Sequence, residues 1–347
     1  MTDYSCASAQ VRNQQACGQT ASWLTQGLDE ASMGKASRTK VDSSRRERIA
    51  AQRAAERRAA QRRRILIASG SIIAVVAIVV AFIVIKANSK PPASSASNGP
   101  TGAALASVVS DLTSVPTSTT DKIGDGGGQV NAKPKAVTGG TPLTANGKPE
   151  MLYMGAEYCP YCAAERWAMI QALSRFGTFS GLSTVHSAAV NGAGQQEPYP
   201  NTPTFTFHGS SYTSKYLTFT PVETQTNIPD KTTGGYTTLE TPTKDQTALL
   251  TKYDVPPYVP AGREGAIPFI YFGGKYIIAG ASYNPQVLAG LSWSKIASDV
   301  KNNPNSDVAK AVVGTANYIT AAICKMTGNQ PSSACTSTIQ SLESSLK

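Results

Sequence analysis

The longest feature in the hydropathy pattern is an unbroken apolar run, ILIASGSIIAVVAIVVAFIVI, from Ile65 to Ile85. As a helix it would reach about 31 Å at 1.5 Å per residue, enough to cross the hydrocarbon core of a bilayer. After it the periodic segments are shorter and of both kinds. ALASVVSDLTSV sets Leu105, Val108, Val109 and Leu112 on one helical face and stops at Pro116. Asn146-Gly147 is a hairpin signal, followed by the buried-strand run PEMLYMGA. AAERWAMIQALSRFG then predicts a helix with Trp167, Ile170 and Leu173 toward the core and Gly177 as its C-cap.

Leu182 to Val190 reads as the next strand. TFTFHGSSYTSKYLTFT alternates Phe205 with Phe207, then Tyr216 or Leu217 with Phe219, which predicts a two-stranded flap around His208-Gly209-Ser210-Ser211. QTALLTKYD predicts a helix before Pro256-Pro257. GAIPFIYFGGKYIIAG holds two strands joined by Gly273-Gly274 and preceded by Ile267-Pro268. The last stretch is helical, opening at Asn284-Pro285, at Asn305 and at Pro331.

Charge divides the chain at the apolar run. The net charge is +10, but residues 1–64 hold 13 Lys and Arg against 6 Asp and Glu, and residues 87–347 hold 18 against 16. The basic character thus belongs to a tail, so a nucleic-acid partner is not expected of the large portion. Nine arginines from Arg45 to Arg64 precede the run and only Lys86 and Lys90 follow it closely, which predicts a cytoplasmic N-terminus. A cleaved signal peptide with Ala87 and Ser89 at its cleavage site is the competing reading; the length of the run and the 64 residues before it argue against it.

The expected organisation is a disordered cytoplasmic tail (1–40, with Met33 an alternative start), a basic cytoplasmic helix (41–64) opened by the Ser44/Glu47 capping box, and a transmembrane helix (65–85) in the plasma membrane. A Pro/Ser/Gly tether (86–102) then leads to an extracytoplasmic α/β domain over 103–347.

The chemistry concentrates at Glu157-Tyr158-Cys159-Pro160-Tyr161-Cys162, between a strand and a helix. A helix N-terminus carries unpaired N–H groups and partial positive charge, which stabilise a thiolate. Cys159 is therefore the expected nucleophile, exposed at the cap, with Pro160 at the first helical position. Cys162, one turn on, is the expected buried resolving thiol. A structural short disulfide and half of a zinc site compete. The helix-start context favours redox chemistry, and the remaining outward cysteines, Cys324 and Cys335, are far away and lack metal-ligand spacing. In an oxidising exterior those two are expected to be bonded to each other. Cys6 and Cys17 read as free cytoplasmic thiols. His186 and His208 read as packing residues, and no metal or cofactor is expected.

Cys159 to Cys162 with its helix, Ile267-Pro268 and the closing hairpin resemble a thioredoxin-fold oxidoreductase. GAEYCPYCAAERW, ALSRFGTFS, YPNTPTFTFHGSSY and TANYITAAICKMTG resemble, more closely, an uncharacterised family of membrane-anchored thioredoxin-like proteins, a domain of unknown function, over about residues 103–340. The resemblance implies a thioredoxin-like fold with a β-rich insertion (about 191–254) and a C-terminal helical extension (about 284–347). It makes Cys159 the attacking cysteine, Cys162 the resolving one and Pro268 the substrate-loop cis-proline. The buried acid that many thioredoxins keep six residues before the first cysteine is replaced by Tyr153. Glu157 is the nearest carboxylate, read either as an exposed loop residue or as a proton-transfer group.

The expected activity is thiol-disulfide exchange on protein thiols or disulfides, with a membrane redox partner if it runs as a reductase. The alternative is a non-catalytic binding module that captures clients or partner subunits through the flap.

Overall fold

The computed structural model describes residues 99–346. The tail, basic helix, Ile65–Ile85 span and most of the tether lie outside the described residues. Among the described residues no helix is long and apolar enough to cross a membrane. The fold is mixed α/β.

Two helices open the described chain, α1 (Gly102–Thr113) and α2 (Thr117–Ile123). β1 (Lys135–Ala136), β2 (Thr144–Ala145) and β3 (Lys148–Gly155) follow, then α3 (Pro160–Leu173). Next come seven short strands: β4 (Gly177–Ser180), β5 (Ser183–His186), β6 (Pro203–Thr206), β7 (Ser211–Ser214), β8 (Thr218–Glu223), β9 (Gln225–Pro229) and β10 (Tyr236–Thr238). After α4 (Lys244–Tyr253) the hairpin β11 (Phe269–Phe272) and β12 (Tyr276–Ala279) completes the strands. A 3₁₀ turn at Pro285–Leu288, α5 (Trp293–Asn302), α6 (Asp307–Thr327) and α7 (Ser337–Ser344) end it.

β3 is the axis of the central sheet. β11 runs antiparallel beside it, pairing Phe269 with Met154 and Phe272 with Met151, and β12 and β1 continue outward. β8 runs parallel to β3 on the other side, and the β2 hairpin pairs with the start of β3. That hairpin turns at Asn146 and Gly147, both at positive φ, as its Asn-Gly pair predicts.

Successive side chains of a strand face opposite sides, and here both sides are covered. Met151, Tyr153, Ile270 and Phe272 enter the larger core with α3, α5 and α6, whereas Leu152, Met154, Phe269 and Tyr271 meet Leu249 and Tyr253 of α4. α3 is buried on every face, Tyr161 being its one exposed residue. It therefore shows no single apolar stripe and even buries Glu165, Arg166 and Gln171.

Four expectations need correction. The segment 191–254 is not an excursion from the sheet, because its strand β8 is the parallel neighbour of β3. Leu182 to Val190 supplies only β5, which pairs with β6 and not with β3. The flap is absent as such: β6 and β7 flank His208-Gly209-Ser210 but pair separately, with β5 and β4. The aromatics explain this, since Phe205 and Phe207 are buried, and Phe207 packs against Tyr153, Phe179 and Phe219. A free hairpin would leave those rings in water. Gly177 opens β4, and α3 ends earlier, with Ser174 as its C-cap.

At the C-terminal end Cys324 and Cys335 are disulfide-bonded, with Cα atoms 5.8 Å apart, and both are buried.

Candidate functional site

β3 ends at Gly155, the chain turns through Ala156–Tyr158, and Cys159 becomes the N-cap of α3, its sulfur accepting the Cys162 N–H at 3.3 Å. Pro160 fills the first helical position, where no N–H is needed. Cys162 lies one turn on and is wholly buried. Cys159 also departs from expectation: it is 5% exposed, not open at the surface. The covering comes from its own neighbourhood, where Tyr158 stacks on Tyr236 of β10 (4.1 Å between centroids), Ala188 N–H donates to Tyr158 O, and Tyr161 meets Tyr199 edge-on.

The loop before β11 closes the other side. The Ile267–Pro268 bond is cis, Pro268 is buried, and the Cys159 thiol lies 3.7 Å from the Ile267 carbonyl oxygen. The structure thus brings Cys159, Cys162 and the Ile267-Pro268 loop together.

Both cysteines carry free thiols, and their environments pull them apart. Burial pushes Cys159 up, but hydrogen bonds from the Cys162 thiol and backbone, the Arg166 charge and the Tyr161 backbone outweigh it, so its pKa lies below the ordinary thiol value. Burial and the neighbouring Cys159 hold Cys162 well above that value. Such an asymmetry would suit one thiol to attack and the other to wait.

Beneath the sulfurs lies a charge pair that the sequence did not reveal. Arg166 Nε donates to Glu223 Oε1 (2.8 Å) and Nη2 to Oε2 (2.6 Å), and Nη2 also donates to Ala156 O (2.7 Å). Neither side chain reaches solvent. Arg166 follows Cys162 by four residues and so shares its helix face, a signal legible in sequence. Glu223 closes β8 directly beside Gly155, which nothing local foretells. Its backbone N–H donates to Glu240, whose carboxylate pairs with His208 Nδ1 at 2.6 Å.

Glu157 is buried, which overturns its reading as an exposed loop residue. Its N–H donates to Gln225 O, so the β9–β10 hairpin covers the turn that carries it. His186 packs edge-on against Trp293, and burial lowers its pKa. No group of three His, Cys, Asp or Glu side chains that could hold a metal occurs among the described residues. Tyr161, Val190 and Ile228 are the exposed large hydrophobic side chains there, the last two on segments that bond to the cysteine turn.

The family model described as "Domain of unknown function (DUF929)" matches residues 135–325, more than half of the chain. The chain belongs to that family. The DUF929 match runs from β1 to Lys325, so it contains Cys159, Cys162, Arg166, Glu223 and Pro268, whereas α1, α2, α7 and Cys335 lie beyond it. Neither the curated proteins nor the solved structures include a match to this chain.

Proposed function

We propose that this DUF929 protein is a membrane-anchored, extracytoplasmic thiol-disulfide oxidoreductase built on a thioredoxin-like fold. The anchor would be the Ile65–Ile85 run, with the arginine-rich side cytoplasmic. The fold reading is supported by the order β8-β3-β11-β12, parallel at the first pairing and antiparallel at the next two, with α3 and α6 on one face and α4 on the other.

The observation that carries the reading is the placement of Cys159. It sits at a helix N-terminus, more acidic than an ordinary thiol, against the carbonyl that precedes Pro268 and with Cys162 one turn behind. A reduced pair attacks a client disulfide through the Cys159 thiolate, forming a Cys159–client disulfide and releasing one client thiolate. Cys162 then bonds to Cys159 and releases the second, so the pair is oxidised and the client reduced. An oxidised pair runs the same steps backwards on a client dithiol.

A redox titration of the full chain tests this. With Cys6 and Cys17 replaced by serine, the chain is equilibrated in glutathione or dithiothreitol buffers, alkylated and mapped by mass. A reversible Cys159–Cys162 pair is expected. A potential near about −120 to −180 mV marks an oxidase or isomerase, and one near about −270 mV a reductase fed by a membrane electron donor. A pair that cannot be cycled overturns the proposal and leaves a binding module.

A further inference from the structure

Two hydrogen-bond donors in the wall behind Cys162 have nothing to donate to. The Tyr153 hydroxyl is buried without a partner, and so is Arg166 Nη1, although the other guanidinium nitrogens are engaged by Glu223 and Ala156. Unpaired buried donors are rare, and each lowers stability. A phenylalanine at 153 would fill the same space without an orphan hydroxyl.

Both donors belong to the surroundings of one sulfur. A methyl group at Gly155 would collide with the Tyr153 hydroxyl and stand 3.1 Å from Cys162 Sγ, so hydroxyl and sulfur border the same small gap. Arg166 lies one turn beyond Cys162, with its guanidinium 5.9 Å from the Tyr153 ring centroid, and its charge acts on both cysteines. The acceptor that such donors suit is an anion, and the anion that redox turnover creates at this spot is a thiolate.

We propose that Tyr153 and Arg166 are donor residues that receive the Cys162 thiolate, making the buried sulfur nucleophilic once Cys159 is engaged in a mixed disulfide. This rests on the redox reading above. At rest Cys159 is one of the causes that keep Cys162 protonated; bonded to a client, it no longer carries the charge that opposes a second one. Tyr153, held well above the ordinary phenol range mainly by burial, remains a donor throughout. In the resolving step the Cys162–Cys159 bond forms, the Cys159–client bond breaks, and the client sulfur leaves with the electron pair. The Cys162 proton ends on the client thiol.

The test uses the full chain with Cys6 and Cys17 replaced by serine and dithiobis(nitrobenzoate) as probe. Attack by Cys159 releases one thionitrobenzoate, and ring closure by Cys162 releases a second. Tyr153→Phe is expected to slow the second release about tenfold at neutral pH, the rate equivalent of one hydrogen bond. It should also move the pH midpoint of that phase upward and leave the first within about twofold. Arg166→Lys, which keeps a cation for Glu223 but loses the planar fork, is expected to act the same way. A second phase unchanged in both variants overturns the assignment. A parent chain with no second phase overturns the redox reading and this assignment with it.

Discussion

Arg166 and Glu223 face each other across the α3–β8 boundary in a two-point ion pair that has no contact with solvent. Removing one partner strands the other charge in the interior, so Arg166→Met or Glu223→Leu alone is expected to lower stability by about 3–5 kcal/mol. The double variant should lose far less than the two single losses together. Urea unfolding of the four chains closes the cycle, and additive losses would show that the two side chains are not coupled.

The two thiols should separate in a pH titration of alkylation. Cys159, with its lowered pKa, is expected to react with iodoacetamide with a midpoint below about 8.5, the ordinary thiol value. Cys162 should stay unmodified over the same range. Mass mapping after timed quenches reads both sites. Equal midpoints would remove the basis for calling Cys159 the nucleophile.

Glu165 makes stability depend on pH. Its buried carboxyl accepts from Ser282 N and Oγ at 2.8 and 2.9 Å, yet burial pushes its pKa from 4.5 up to about 7. The folded chain therefore holds a proton that the unfolded chain releases. Its contribution is fully present below about pH 4.5 and is lost as pH rises through about 7. Glu165→Gln is expected to flatten that loss and to raise stability at pH 8 by up to about 3 kcal/mol. Asp254, which burial also raises to about 7, leaves a residual slope in both chains. Parallel curves for wild type and variant, from urea midpoints at pH 5 and 8, would contradict the prediction.

Cys324 and Cys335 are separated by 11 residues, and their bond is buried at 0% and 2% exposure. Replacing both with alanine is expected to lower stability by about 2–5 kcal/mol, chiefly by freeing the unfolded chain. The Cys159–Cys162 potential should stay the same. Calorimetry and the redox titration on the same double variant check the two halves, and a shifted potential would mean that the disulfide is coupled to the Cys159–Cys162 site.

The sequence made β3, β11, β12 and α3 readable because strong local signals agree there: unbroken apolar runs, an Asn-Gly turn, Gly273-Gly274 and Cys-Pro at a helix start. β8 is legible only at its start, as the second arm of the flap, because Pro221 stands in its middle and threonines surround it. A proline argues against a central strand, but β8 pairs on its β3 side alone, and an edge strand tolerates one. The site divides in the same way. Cys159, Cys162 and Pro268 stand in motifs, and Arg166 can be placed by helical spacing. Glu223 comes from 57 residues further along the chain, and only the register of β8 on β3 brings it to Arg166. Glu157 misleads for a related reason, because its burial depends on the distant β9–β10 hairpin.

The all-round burial of α3 bears on motion. A helix packed on every side opens only with the whole domain, so its interior amides should be among the slowest to exchange with solvent. Cys159, 5% exposed, begins that closely packed element. Under the proposed activity, a client sulfur would gain access by displacement of the surrounding segments, the 187–202 stretch and the β9–β10 hairpin, and not by reorientation of the helix. The sulfur would then stay fixed while the entrance to it changes, and the rate of opening of those two segments would set an upper limit on the proposed turnover.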